Sequence, residues 1–156
     1  LHPVEQVSWT ECTETCRQLG LNLPREVQWE FGARGGTTTG WWTGDDAANV
    51  ATAGNVADAW ALAHGAVADW VCEAWDDGNT IHAEVGSFRA NPFGLHEVIG
   101  NLGEWCEDKF GPDSHVLRGG NFTVPASFAR STNRNTSPSA FAFLVYGLRP
   151  ARALAP

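Results

Sequence analysis

Several patterns are scarce or missing in this chain of 156 residues, and each absence narrows its function. No run approaches 18 consecutive apolar residues, so the sequence predicts no membrane span. The cysteines form no CxxC pair and the five histidines are scattered, which argues against a zinc site. The opening residues contain neither Met nor a signal-peptide pattern. We therefore expect an N-terminal part of the domain to be missing. The sequence predicts no particular cellular compartment.

Negative charge is absent from one end of the chain. Residues 119–156 contain four Arg and no acidic residue, whereas residues 1–118 contain six basic and eighteen acidic residues. The net charge is therefore −8. Four Arg spread along an acidic protein do not form the dense basic surface that a phosphate backbone requires, so we expect no nucleic-acid partner.

Five residue types are missing from the same end. Lys, Glu, Gln, Met and Trp fill 22 of the first 118 residues and none of the last 38. At the earlier frequency about seven would be expected, so chance is a poor explanation. The same stretch mixes Phe, Val, Leu and Tyr with Ser, Thr and Asn: RGGNFTVPASFARSTNRNTSPSAFAFLVYGLRPAR.

What is present indicates one folded domain. A hydrophobic share of 43% and eight Trp exclude a disordered chain, and the length suits a single core. Apolar residues at helical spacing predict a first helix, capped by Ser8 or Thr10 and ended by Gly20. This helix places Cys12 and Cys16 on a buried face.

The remaining pattern predicts little regular structure. A second helix begins at Pro24, carries Val27 and Phe31 four residues apart, and ends at Gly35. A short helix is predicted within residues 57–67. Short strands are predicted at residues 83–88, 103–107, 116–118 and 142–152. Together these elements predict an α+β domain.

Eight motifs resemble, in order, the formylglycine-generating-enzyme-like (sulfatase-modifying factor) family. They run from residue 2 to residue 152: HPVEQVSW, CRQLGLNLPREVQWEFGARGG, GNVADAW, DDGN, AEVGSFRANPFGLHEVIGNLGEWCED, VLRGG, RSTNRN and GLRPAR. The resemblance implies a variant C-type-lectin fold over residues 1–156, with two helices, a small twisted antiparallel sheet and long ordered loops.

The resemblance also implies which chemistry to expect. Members that oxidise a substrate cysteine use a cysteine pair near the C-terminus to bind copper(I), since thiolates favour this soft ion. Those thiols would fall between Arg118 and Asn135, where this sequence has no Cys. We therefore expect no copper and no catalysis. A triad of Ser114, His115 and Asp113 is also disfavoured, because sequence neighbours rarely point at one another.

Calcium is the ion that the resemblance implies, held by carboxylate, amide and backbone oxygens. The first implied set is the Asn55 side chain, the Val56 carbonyl, Asp77 and the Asn79 carbonyl. The second implied set is Glu97, the carbonyls of Gly100 and Leu102, and Glu104. The alternative is that Asp77 caps a turn while Glu97 and Glu104 pair with Arg.

The C-terminal stretch resembles one branch of this family, the variable proteins of diversity-generating retroelements. There, adenines in Asn codons are randomised, and a codon ending in C or T cannot encode the five missing residue types. The resemblance implies a variable ligand-binding region within residues 118–152. Its implied ligand-contacting residues are Thr123, Val124, Phe128, Asn133, Thr136, Ser137, Phe141, Phe143, Leu144, Val145 and Tyr146.

Two alternatives remain for the run SAFAFLVYGL and for the chain as a whole. The run has period-two alternation, so Phe141, Phe143 and Val145 could also form the inner face of a buried strand. For the chain, we expect a monomeric, non-catalytic protein that binds an unknown protein or other macromolecular ligand. The alternative is an enzyme module of the sulfatase-modifying-factor or sulfoxide-synthase type, acting with an absent histidine-rich domain.

Overall fold

The computed structural model describes residues 1–67 and 69–152, so position 68 and the last four residues of the predicted 1–156 domain lie outside the described residues. The helices in this part are α1 (Trp9–Gln18), α2 (Glu26–Arg34) and α3 (Ala59–Ala63), with short 3-10 turns at Ala47–Val50 and Ala126–Ala129. The strands are β1 (Gly103–Lys109), β2 (Ser114–Arg118), β3 (Asn135–Pro138) and β4 (Tyr146–Gly147). The predicted α+β class is confirmed.

A reciprocal cap begins α1. The Glu11 amide donates to Ser8 Oγ at 3.2 Å, and the Ser8 amide donates to the Glu11 carboxylate at 2.8 Å. Two amide groups that the helix leaves free are satisfied in this way. Cys12 and Cys16 lie on the buried face, as the apolar spacing predicted.

The second helix begins two residues later than predicted and ends where expected. Its cap is Arg25, and Gly35 ends it in the left-handed conformation, with φ of 56°. The apolar residues that suggested this helix, Val27 and Phe31, are exposed. The face that packs inward carries Trp29 and Ala33 instead.

The sheet has the order β3-β2-β1-β4. β2 pairs antiparallel with β1 and with β3, as predicted for a small antiparallel sheet, whereas β4 at one edge runs parallel to β1. β3 was not predicted, because Asn135–Pro138 has no apolar alternation. It occupies the other edge, where a Pro is tolerated.

Two predicted strands are replaced by irregular chain. Residues 83–88 form no strand, and side chains take the place of a partner strand. The Gly86 and Phe88 amides donate to the Glu97 carboxylate at 2.9 and 3.1 Å, and the Ala83 amide donates to the Asn101 side chain. The predicted strand at residues 142–152 is reduced to β4, because a turn precedes it.

The buried residues form three apolar clusters around the sheet. The largest joins Trp29 of α2 to Val116 of β2, the second joins α1 to Trp105, and the third contains Leu102, Phe122 and Val145. In the described part of the chain, no helix has both the length and the apolar character needed to cross a bilayer.

Candidate functional site

A cleft of about 170 Å³ opens beside the sheet in the C-terminal third of the chain. We call it the C-terminal cleft. Its floor includes Gly103 and Leu117, at the end of β1 and in β2, and its walls come from residues 118–135 and Tyr146. Four of the residues predicted to contact a ligand line it: Val124, Phe128, Asn133 and Tyr146.

Four large apolar side chains are exposed near this cleft. The exposed fraction is 55% for Phe128, 51% for Phe141, 45% for Phe143 and 42% for Leu144. We call these four residues the apolar surface. The alternative that Phe141 and Phe143 belong to a buried strand is therefore wrong.

Stacked rings connect the apolar surface to the core. The ring centroids of Phe141 and Phe143 lie 6.0 Å apart, and those of Phe143 and Tyr146 lie 5.9 Å apart. Tyr146 is half-buried and meets the edge of the fully buried Trp105 at 5.3 Å. Tyr146 thus anchors a row of exposed rings.

The other predicted contact residues are less accessible. Thr123, Val124, Asn133 and Thr136 are partly buried. Ser137 and Val145 are each only 5% exposed. Val145 packs with Leu102 and Phe122, while Ser137 pairs with His115 across the sheet. A ligand on this face would first meet the apolar surface and the cleft.

Arg118 is the buried centre of the cleft wall. Its guanidinium donates to the carbonyls of Ser131 and Asn133, and it reaches the Glu30 carboxylate at 2.5 Å. It also lies over the ring of Trp29, with its central carbon 5.3 Å from the ring centroid. Because one buried cation binds two backbone carbonyls, Arg118 fixes the path of residues 131–133 together with the side chain of Asn133.

Gly120 allows the wall to close. Its φ is 73°, a conformation that L residues rarely adopt. A Cβ atom there would lie 2.9 Å from Cβ of Ala129. Positive φ and the lack of space for a side chain therefore explain why the motif RGG has a glycine at position 120.

The polar residues of the cleft lining are arginines and asparagines. Arg134 lines it and pairs with both carboxylate oxygens of Glu26 at 2.6 Å. The side chains of Asn121 and Asn135 also line it. These three residues were not among the predicted contacts. Tertiary packing brings them to the cleft, and sequence spacing does not reveal such packing.

The cysteines lie away from the cleft. Cys12, Cys16 and Cys106 are buried in apolar clusters, and Cys72 is half-buried. Burial raises the pKa of the Cys12 thiol to about 12 and raises the pKa of Cys106 further. These buried thiols are therefore protonated at neutral pH, which disfavours thiolate chemistry.

His115 does not form the triad considered from the sequence. Its Nδ1 lies 2.8 Å from Oγ of Ser139, and that hydroxyl lies 2.8 Å from the backbone carbonyl of Asp113. His115 also stacks on Trp9, with ring centroids 3.6 Å apart. These contacts give His115 a packing role between β2 and α1.

The first predicted calcium set lies in a buried, negatively charged region. The Asn55 side chain is fully buried, and its Oδ1 has no hydrogen-bond partner among the described residues. Asp77 accepts hydrogen bonds from the amides of Val56 and Asn79 at 3.0 and 2.9 Å, so it does cap a turn. Burial, and to a lesser degree the neighbouring carboxylate of Asp58, raise the pKa of Asp77 to about 6.

The second predicted set already has partners for both carboxylates. Glu104 pairs with Arg149 through both oxygens, at 2.7 and 2.9 Å, and accepts from the Trp29 indole at 2.6 Å. Glu97 accepts from backbone amides. The alternative of pairing with Arg is thus observed for Glu104. Within the described residues, no three His, Cys, Asp or Glu side chains converge on a point that could hold a metal ion.

A family comparison matches nearly the whole chain. The model of the sulfatase-modifying factor enzyme 1-like domain matches residues 1–154. The formylglycine-generating enzyme of Streptomyces coelicolor is 31% identical over 172 aligned residues, which cover 88% of this chain and 50% of that enzyme. The chain therefore spans about half the length of this relative.

Two solved structures share the fold. PvdO from Pseudomonas aeruginosa superposes with a TM-score of 0.82 and 23% identity, covering 98% of this chain and 62% of PvdO. Treponema denticola variable protein 1 superposes with a TM-score of 0.74 and 19% identity, covering 97% of this chain and 72% of that protein. Both likenesses therefore show that the fold is shared.

Proposed function

The chain belongs to the sulfatase-modifying factor enzyme 1-like family, and we propose that it is a non-catalytic member that binds a macromolecular ligand with a diversified C-terminal surface. The observation that carries the proposal is the apolar surface, four large exposed side chains beside a cleft. Exposed apolar groups that lie together are typical of interaction sites.

The residue usage of the same region supports diversification. Residues 119–156 lack the five residue types that codons ending in C or T cannot encode. A likeness of fold to a variable protein agrees with this interpretation. The ligand is then an unknown protein or other macromolecule, selected by whichever side chains occupy the apolar surface.

The distribution of thiols supports a non-catalytic role. Copper(I) needs accessible thiolates, and no cysteine lines the C-terminal cleft. The alternative is an enzyme module that acts with a further domain, and the identity with the Streptomyces coelicolor enzyme favours it. An assay for oxidation of a cysteine-containing peptide, with copper and oxygen supplied, separates the two: turnover would support the alternative.

A library tests whether the apolar surface is free to vary. Phe128, Phe141, Phe143 and Leu144 would be randomised together with codons ending in C or T, and folded members would be counted by protease resistance on display. We expect most members to fold, because changes of exposed side chains cost little stability. A control library at Ala126, Val145 and Leu117, which are buried, should contain few folded members.

The neighbouring DNA tests the origin of the variation. A retroelement requires a near-copy of the segment for residues 118–152, rich in adenine, and a reverse-transcriptase gene. If neither is present, diversification is refuted, although ligand binding by the apolar surface would still be measurable.

We also propose that the first predicted set holds a structural calcium ion. The buried Asn55 Oδ1 without a partner and the two close carboxylates of Asp58 and Asp77 fit a hard divalent cation, and none of the three has a cationic partner in the described chain. Asp77 and Asn55 would supply side-chain oxygens, and Val56 and Asn79 would supply carbonyls. Bound calcium would offset the carboxylate charge. No ion is proposed for the second set, because Arg149 already provides the positive charge there.

A further inference from the structure

Two histidines that are 80 residues apart in sequence meet near the start of the chain. The Nδ1 atoms of His2 and His82 lie 3.2 Å apart. Their ring centroids are separated by 5.0 Å, and the rings are inclined by 68°. Neither residue was among the predicted metal or ligand contacts.

Each imidazole has a carboxylate on its other side. His82 Nε2 lies 3.4 Å from Glu5, and His2 Nε2 lies 4.0 Å from Glu84. A carboxylate favours the tautomer that carries its proton on the nitrogen facing it. With its proton on Nε2, each imidazole presents a lone pair on Nδ1, and a cation between the two Nδ1 atoms would be bound by both.

The geometry points to a transition-metal ion at this position, and we propose that His2 and His82 bind zinc or a similar divalent ion through Nδ1. Tetrahedral zinc with bonds of 2.0–2.1 Å to nitrogen separates two ligand nitrogens by about 3.3 Å. The observed separation of 3.2 Å agrees. Imidazole ligands commonly donate their second N–H to a carboxylate, and the Glu5 carboxylate lies on that side of His82, 3.4 Å from Nε2. Nitrogen ligands select zinc, nickel or copper over calcium.

The surrounding chain holds His82 in place. The Ile81 carbonyl accepts from the Asn55 side chain at 2.9 Å, and the Ala83 amide donates to Asn101 at 2.8 Å. The side chain of His82 is only 15% exposed, and its ring meets Phe122 edge-on. His2 approaches from the N-terminal segment, which the Val85 amide contacts through the Leu1 carbonyl at 2.8 Å. A bound ion would tie this segment to the loop before Gly86.

Zinc titration of the chain without a histidine tag tests the proposal by calorimetry. We expect one zinc ion per chain and a loss of roughly tenfold or more in affinity in His2→Ala and in His82→Ala. The side chain of His2 is 59% exposed, so His2→Ala should fold even if His82→Ala does not. Glu5→Gln should weaken binding less than removal of a ligand. His64→Ala, at the residue that follows α3, and Cys72→Ser are matched controls that should bind as the unmodified chain does.

Three results would overturn the assignment. The first is zinc affinity that stays unchanged in His2→Ala. The second is loss of binding in Cys72→Ser, which would move the ion to a thiol. The third is the absence of zinc uptake by the unmodified chain when zinc is in large molar excess. The contact between the two imidazoles would then be a hydrogen bond with a shared proton.

Discussion

Phe143 and Val145 are two residues apart, but the same substitution should destabilise the protein much less at Phe143 than at Val145. Phe143 is 45% exposed, so Phe143→Ser loses roughly half of the burial free energy of a Phe side chain, about 1 kcal/mol. Val145 is buried with Leu102 and Phe122, so Val145→Ser removes buried methyl groups and buries a hydroxyl, which costs about 3 kcal/mol.

Thermal unfolding followed by circular dichroism measures this difference. For a domain of this size, 1 kcal/mol corresponds to about 2–4 °C in Tm. We therefore expect Phe143→Ser to lower Tm by about 3 °C and Val145→Ser by about 10 °C. Val145 also receives the Gly103 amide on its backbone carbonyl, and Ser retains that bond, so the loss reports packing.

A fall of more than about 8 °C in Phe143→Ser would refute the reasoning. Phe143 would then belong to the core, and the apolar surface could not vary freely. The double variant Phe141→Ser and Phe143→Ser extends the test. Its two rings stack on one another, so the combined loss should stay near about 2 kcal/mol.

Two further predictions concern Asp77 and Gly120. Folding raises the pKa of Asp77 from an ordinary value of 3.8 to about 6, so the folded state binds this proton more tightly than the unfolded state. In chelator-treated protein, the free energy of unfolding should therefore fall by about 1–3 kcal/mol as pH rises from about 4 to about 7. Urea titrations of Asp77→Asn should not show this fall, because the variant has no carboxylate at position 77. Added calcium should restore stability at neutral pH in the unmodified chain but not in Asp77→Asn, and equal pH profiles of the two proteins would contradict the assignment. Gly120→Ala should lose about 2–4 kcal/mol in the same titration, because it combines positive φ with a contact against Ala129. Gly111→Ala, which has positive φ but open space around it, should lose only about 1 kcal/mol, and equal losses would show that the close approach at Gly120 is unimportant.

Local signals predicted much of the frame. Ser8 and Gly35 set helix ends through capping and left-handed backbone, both of which depend on residues next to them in sequence. β1 and β2 carry enough apolar residues to be identified. β3 has no apolar residues that would identify it as a strand. It forms a strand only because β2 supplies its hydrogen-bond partners. Such pairing is long-range and leaves no periodic signal.

The candidate site was less predictable, for a related reason. Alternation placed Phe141, Phe143 and Val145 on one face, but a turn places the Phe143 carbonyl 2.9 Å from the Tyr146 amide and breaks the period. Only Val145 then faces the core. The sequence allowed pairing with Arg for both Glu104 and Glu97 but did not identify the partner of either. Arg149 pairs with Glu104, whereas backbone amides of residues 86–88 donate to Glu97.

Backbone contacts determine which positions of the cleft wall can vary without cost. The Ala57 amide donates to the Val124 carbonyl, and the Ala126 amide donates to the Glu73 carboxylate. Arg118 donates to the carbonyls of residues 131 and 133. None of these bonds involves the side chain of a predicted variable residue. Asn133 is different, because its side-chain amide donates to the Phe128 carbonyl at 2.7 Å and so closes the turn beneath the apolar surface. Replacing Asn133 would remove the hydrogen bond that fixes the backbone at Phe128. Replacing Phe128 would change only the side chain that is exposed at that position.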